Sequence, residues 1–253
     1  MTNPVMPGAE PMSVNGTNGF GAIVLHGFTG NPHSMRGLAN AFAAAGFAVE
    51  MPLLPGHGTA VEDMLPTRWA DWSGHVEATY QRLAPTVDKV VVAGLSMGGT
   101  LTAWLATQHP EIAGIVTING ALEPLNAEFR GLLQGMIDSG ESVFPGIGSD
   151  IADPDSHETA YPETPLAPLL SLADAGDDLD ALVPTITMPA LVMTSPQDHV
   201  VVPTAGPYFA ARVSGPVEQL SLERSYHVAT LDYDKDLIND ASVAFAKKVC
   251  GLS

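Results

Sequence analysis

The feature that most restricts this chain is a serine framed by glycines, Gly94-Leu95-Ser96-Met97-Gly98-Gly99. It lies between an apolar run, Val90-Val91-Val92-Ala93, and a helical pattern that puts Leu101, Trp104 and Leu105 on one face before Pro110. A strand, a Gly-x-Ser-x-Gly turn and a helix together form the context of a nucleophile elbow. The requirement is steric. A serine aimed away from a sheet sits in a strained turn, and glycines two residues to either side have no Cβ to collide there. Helix entry directly after Ser96 leaves backbone N–H groups unpaired, where they can face a developing negative charge. The pentapeptide alone is weak evidence in a chain with 25 glycines, and the flanking strand and helix are what strengthen it.

The rest of the chain supplies that context. Strands are expected at 22–25, 47–51, 90–93, 114–119, 189–194 and 217–222. Between them lie helical patterns: one from a Ser34 cap to Gly46, one from about Thr67 to Leu83, one after Ser96, one over 204–212 and one over 234–249. Residues up to about Pro11 read as a loose tail. Strand–helix alternation predicts right-handed crossovers and a parallel, doubly wound sheet, and the run 22–25, apolar throughout, reads as a strand covered on both faces. In such sheets ligands lie at the carboxyl ends of the strands, where Phe28 and Ser96 both fall. The rhythm breaks over 121–187, a Pro- and Asp-rich stretch with helices expected near 127–139 and 165–175 and no convincing strand. Its apolar residues Phe129, Leu132, Leu133, Met136, Ile137, Val143, Phe144 and Ile147 suggest a lid over a pocket, inserted into a single domain spanning 1–253.

Composition narrows the partners. The 253 residues carry 28 acidic and 10 basic side chains, a formal net charge of −18, which disfavours nucleic acid and anionic membrane surfaces. One cysteine, Cys250, excludes an internal disulfide and fits a reducing compartment. The first residues lack a cationic head and an apolar core, and no apolar run is long enough to span a bilayer, so a cytoplasmic location is expected. The histidines are scattered, with no His-x-x-x-His, no cysteine pair and no phosphate-binding glycine loop; neither a metal nor a cofactor is expected.

A serine hydroxyl needs a base, and the base needs a third group to set its tautomer. Asp198 follows the strand ending at Thr194, and His227 follows the last strand, giving the order Ser, Asp, His. The other histidines compete poorly. His26 is expected to brace its own loop, His57 sits in a Gly-His-Gly turn, and His33, His75, His109 and His157 read as surface or cap residues. His199 adjoins Asp198 and is expected to face elsewhere. An oxyanion needs preorganised donors; the N–H of Met97 is one candidate and that of Phe28, in His26-Gly27-Phe28-Thr29-Gly30, is the second.

With these motifs in place the chain resembles the bacterial carboxylesterase and monoacylglycerol lipase group of the α/β-hydrolase family. The residues that carry the likeness are His26-Gly27-Phe28-Thr29-Gly30, Pro55-Gly56-His57-Gly58, Gly94-Leu95-Ser96-Met97-Gly98-Gly99, Asp198 and Ser225-Tyr226-His227-Val228-Ala229-Thr230-Leu231-Asp232. The resemblance implies an α/β-hydrolase fold and hydrolysis of short-to-medium-chain carboxylic esters, monoacylglycerols among them, under a small lid. It implies Ser96, Asp198 and His227 as the triad and Phe28 and Met97 as oxyanion donors. The lid residues match nothing one by one. Carbon–carbon hydrolysis, acyl transfer, perhydrolysis and a small-ligand receptor that keeps the triad stay open, because acceptor choice lies in the pocket and lid.

Overall fold

The computed structural model describes residues 3–146 and 148–252. Ile147, one of the apolar residues expected on the lid, lies outside the described residues. Seven strands form the main sheet: β1 (Met12–Val14), β2 (Gly21–Leu25), β3 (Ala48–Met51), β4 (Val90–Leu95), β5 (Gly114–Ile118), β8 (Ala190–Thr194) and β9 (Val217–Ser221). Between β5 and β8 a separate antiparallel pair joins β6 (Val143–Pro145) to β7 (Glu163–Pro165). The sheet order is β1-β3-β2-β4-β5-β8-β9, and only β1 runs antiparallel to its neighbour. The doubly wound parallel sheet is therefore present.

The helices are α1 (Arg36–Ala44), α2 (Val61–Met64), α3 (Trp69–Leu83), α4 (Met97–Gln108), α5 (Ala127–Asp138), α6 (Leu166–Asp180), α7 (Ala205–Ala210) and α8 (Lys235–Cys250). Alternate residues of each strand enter opposite layers. Ile23, Leu25, Val92, Ile115 and Val192 pack with Trp72, Leu101, Leu172 and Phe209 on one face. Val24, Val91, Ala93, Val116 and Leu191 pack with Leu38, Phe42, Ile238 and Phe245 on the other. Burial on both sides explains why these strands show no polar alternation.

Several local expectations are corrected. The helix after Gly30 does not start from a Ser34 cap. Asn31 caps a 3-10 turn, Pro32–Met35, by accepting the His33 N–H at 3.0 Å, and α1 follows from Arg36. Pro32, with its fixed φ, suits that first position. The stretch 121–187 does contain strands, β6 and β7, each of three residues and paired across a long loop, too short for periodicity to reveal. Helix α6 runs to Asp180 rather than stopping near 175, because Leu172, Ala175 and Leu179 continue its buried face past Gly176. The segment expected to be a loose tail is anchored, with the Met6 N–H donating to Gly58 O at 2.8 Å and Ala9 fully buried, and it leads into β1, an unexpected strand that pairs with β3 at the sheet edge. His109, read as a surface residue, is only 13% exposed at its side chain, stacks on Tyr80 and lies between Glu77 and Glu111.

The strand order locates the site. From β2 the chain turns outward to β3, then returns to the other flank of β2 as β4. The connections leaving β2 and β4 diverge and open a crevice at their carboxyl ends.

Candidate active site

Ser96 stands at that crevice, between the end of β4 and the start of α4, with φ 55° and ψ −119°. A non-glycine residue held at positive φ is strained, and the strain is sustained by close packing around it. A Cβ on Gly94 would lie 2.0 Å from the carbonyl oxygen of Gly98, and one on Gly98 would lie 2.3 Å from that of Leu25. Only glycine lets the elbow, its helix and β2 approach so closely. The turn is pinned from behind by the Ser96 N–H, which donates to Ile118 O at 3.0 Å. Met97 opens α4, so its N–H has no intrahelical partner.

The loop after β2 lies against the elbow: a Cβ on Gly27 would sit 3.2 Å from the Ser96 Cβ and 3.8 Å from its Oγ. His26 braces this loop from the core. Its Nε2 accepts the Leu54 N–H at 3.2 Å, so Nδ1 carries the proton and donates to Gly27 O at 2.9 Å. Burial, and secondarily the neighbouring His57, lower the His26 pKa to about 3; burial lowers that of His57 to about 4. Both rings are thus neutral spacers. His57 Nδ1 donates to Pro55 O at 3.0 Å, and the Phe28 ring meets His57 and Trp72 edge-on. Thr29, at φ 60°, completes the turn and donates its hydroxyl to Phe28 O.

Asp198 and His227 come together from the loops after β8 and β9. Asp198 Oδ2 lies 2.7 Å from His227 Nδ1, and the side chains are 3% and 8% exposed. Asp198 Oδ1 accepts the N–H groups of Val200 and Val201, both at 2.8 Å, which orients the carboxylate. Neither Ser96 Oγ nor His227 Nε2 has a hydrogen-bond partner among the described residues; such contacts are often long before substrate binds. His199 does face elsewhere, pairing through Nδ1 with Asp150 at 2.8 Å.

Four residues around the site were not anticipated as parts of it. Asp150 accepts the N–H groups of His227 and His199 at 3.0 and 3.2 Å. Asp232, fully buried, accepts those of Ala152, Asp153, Tyr226 and Tyr233, tying the stretch between β6 and β7 to the His227 loop. Tyr161 accepts the Thr59 N–H at 3.0 Å and donates to Gly56 O at 2.8 Å, while its own N–H reaches Thr29 O. Glu158 stands beside Gly30, with Oε1 2.7 Å from where a Cβ would be; burial raises its carboxyl above the ordinary range, and His227 opposes that. Only Asp232 carried a signal, as the last residue of the motif through His227. The others depend on where the inserted stretch runs. Among the described residues no group of three or more His, Cys, Asp or Glu side chains could hold a metal ion, and no helix is long and apolar enough to cross a membrane.

Comparison with known proteins agrees with this architecture. Residues 23–143 match the model of the alpha/beta hydrolase fold family. The chain is 45% identical over 252 residues to a thermostable monoacylglycerol lipase of Bacillus sp. (strain H-257), covering 98% of each. It is 27% identical over 229 residues to a carboxylesterase of Bacillus subtilis (strain 168), covering 90% of this chain and 92% of that one. A solved structure of a metagenome-derived lipolytic enzyme superposes with a TM-score of 0.92 at 42% identity, covering 97% of this chain and 100% of the other. The parallel sheet, the strained serine turn and this likeness along nearly the full length lead to one assignment: the chain belongs to the α/β-hydrolase family, in its group of bacterial carboxylesterases and monoacylglycerol lipases.

Proposed function

We propose that this protein is a serine hydrolase of carboxylic esters, working through an acyl-enzyme. The observation that carries the reading is the buried 2.7 Å contact between Asp198 and His227 on the sheet rim that bears the Ser96 elbow. In this scheme Asp198 holds the Nδ1–H tautomer, leaving Nε2 of His227 free to take the Ser96 proton. The serine oxygen attacks the ester carbonyl, and the N–H groups of Met97 and Phe28 stabilise the oxyanion. His227 then protonates the departing alcohol and later activates the water that frees Ser96. Water is the only co-reactant this chemistry uses.

The names of the relatives, a monoacylglycerol lipase and a carboxylesterase, support carboxylic esters with monoacylglycerols among them, and the preference for short-to-medium acyl chains is the part of the proposal that rests on the family resemblance alone. The stretch 121–187 is the proposed lid. Its α6 is built into the core through Leu172 and Leu179, so the covering part lies before it, where Phe129 and Leu132 of α5 are exposed. The acidic surface and the unpaired Cys250 fit a small-molecule substrate met in the cytoplasm, without a nucleic-acid partner. The test is Ser96→Ala assayed on a p-nitrophenyl acyl ester, with glycerol monoesters and simple alkyl esters compared by kcat/KM across chain length. Turnover near the wild-type level in Ser96→Ala would refute the mechanism; a flat chain-length series would refute the substrate class.

A further inference from the structure

We propose that Asn119 is a positioning residue that sets the Asp198 and His227 loops against each other and against the elbow; this rests on the triad reading above. The two loops leave the sheet early. The β8–β9 ladder ends at the pair Thr194 and Ser221, with one further bond from the Leu222 N–H to Thr194 O. Residues 195–197 then lead to Asp198 and 223–226 to His227 with no strand pairing between them. Something outside the ladder must hold the acid and the base in register.

The Asn119 amide does so from the end of β5. Its Oδ1 accepts the Ser195 N–H at 2.7 Å, and its Nδ2 donates to Ser195 Oγ at 2.9 Å, His227 O at 2.8 Å and, more weakly, Tyr226 O at 3.2 Å. Ser195 Oγ in turn donates to Tyr226 O at 3.0 Å. The opposite amide orientation would set the Asn119 carbonyl against the carbonyls of Tyr226 and His227 and its NH2 against the Ser195 N–H, so the assignment follows from the partners. Asn119 and Ser195 are 4% and 0% exposed, which makes each of these bonds costly to lose.

The backbone of the same turn reaches the third member. Ile118 O receives the Ser96 N–H, and the Asn119 N–H donates to Met193 O at 3.0 Å. Asn119 sits at φ 44°, a left-handed value asparagine tolerates better than most residues. The Ile118–Asn119 peptide and the Asn119 amide together therefore connect the nucleophile's turn, the root of the acid loop and the carbonyl of the base itself. Catalytic groups displaced by about 1 Å can lose on the order of 10² in rate, so a clamp of this kind acts on turnover.

The experiment compares Asn119→Asp, which keeps the acceptor for the Ser195 N–H but has no proton for the two carbonyls, with Asn119→Gly, which keeps the backbone angle and removes the amide. Active sites are counted by fluorophosphonate labelling. The expected result is a fall in kcat per labelled site of roughly 10–100-fold with KM within about twofold. The far-downfield proton resonance of the His227–Asp198 hydrogen bond should broaden or move upfield. A folded variant of either kind with kcat per site within about twofold of wild type and an unchanged resonance overturns the inference. If neither variant folds, Ser195→Ala, which deletes only the hydroxyl link, is read by the same two measurements against the same limits. Activity surviving in Ser96→Ala would sink the triad and this inference with it; a silent Ser96→Ala beside an unaltered Asn119→Asp would sink this inference alone.

Discussion

Asp198 and His227, 29 positions apart in the chain, meet through a 2.7 Å contact between Oδ2 and Nδ1 with almost no solvent around it. Asp198→Asn is nearly isosteric, yet its amide can present an N–H to Nδ1 and so favour the wrong imidazole tautomer. Turnover of a p-nitrophenyl ester should fall by about 10⁴-fold while the melting temperature changes little. Unchanged turnover in the folded variant would remove Asp198 from the mechanism.

The elbow glycines should behave as structural absolutes. In Gly94→Ala and Gly98→Ala the new methyl meets backbone oxygens of Gly98 and Leu25, which no side-chain rotation relieves. Each should cost more than about 3 kcal/mol, a drop in melting temperature of roughly 6–12 °C, or abolish soluble expression. Gly131→Ala and Gly135→Ala, on α5 with nothing within 4 Å, are the controls and should be neutral or stabilising by up to about 1 kcal/mol. Similar melting temperatures for all four variants would show that the close approach is not needed.

Acid should destabilise the fold through His26 and His57. Both are buried and neutral, with pKa values lowered from 6.5 to about 3 and about 4. The unfolded chain binds protons at these positions below pH 6.5 while the folded chain does not. Their contribution is therefore complete above pH 6.5 and is lost as pH falls toward those lowered values. The slope is about 1.4 kcal/mol per pH unit for each ring, in the same direction as the lowered His33 and His75. Denaturant melts between about pH 6.5 and 5, above most carboxylate titration, would measure it. In His57→Gln the slope should shrink by about one proton. A slope identical to wild type would mean that His57 is protonated in the folded state.

The sheet was readable because both of its faces are covered. Runs such as Ala22-Ile23-Val24-Leu25 and Val90-Val91-Val92-Ala93 are apolar without alternation, which is a local property. The glycines of the elbow and the positions after β2, β4, β8 and β9 were readable for the same kind of reason, since each candidate site residue follows a recognisable strand. β6 and β7 were not, because three residues carry no period and their pairing depends on a long loop closing. Nor was the Asn31 cap: Ser34 suits a cap by residue type, but it is Asn31 whose side chain accepts the His33 N–H in the folded chain.

Local preferences along the chain were thus enough to specify an alternating parallel sheet, a strained serine turn and the loops on which an acid and a base would lie. The tertiary structure alone decided that the Asn119 amide joins those loops, and that Asp150 and Asp232 fasten the stretch between β6 and β7 to the His227 loop. The physical reason is range. Backbone preference and apolar period act within a few residues, whereas a buried amide or carboxylate takes whichever unpaired N–H or carbonyl the folded loops bring within about 3 Å.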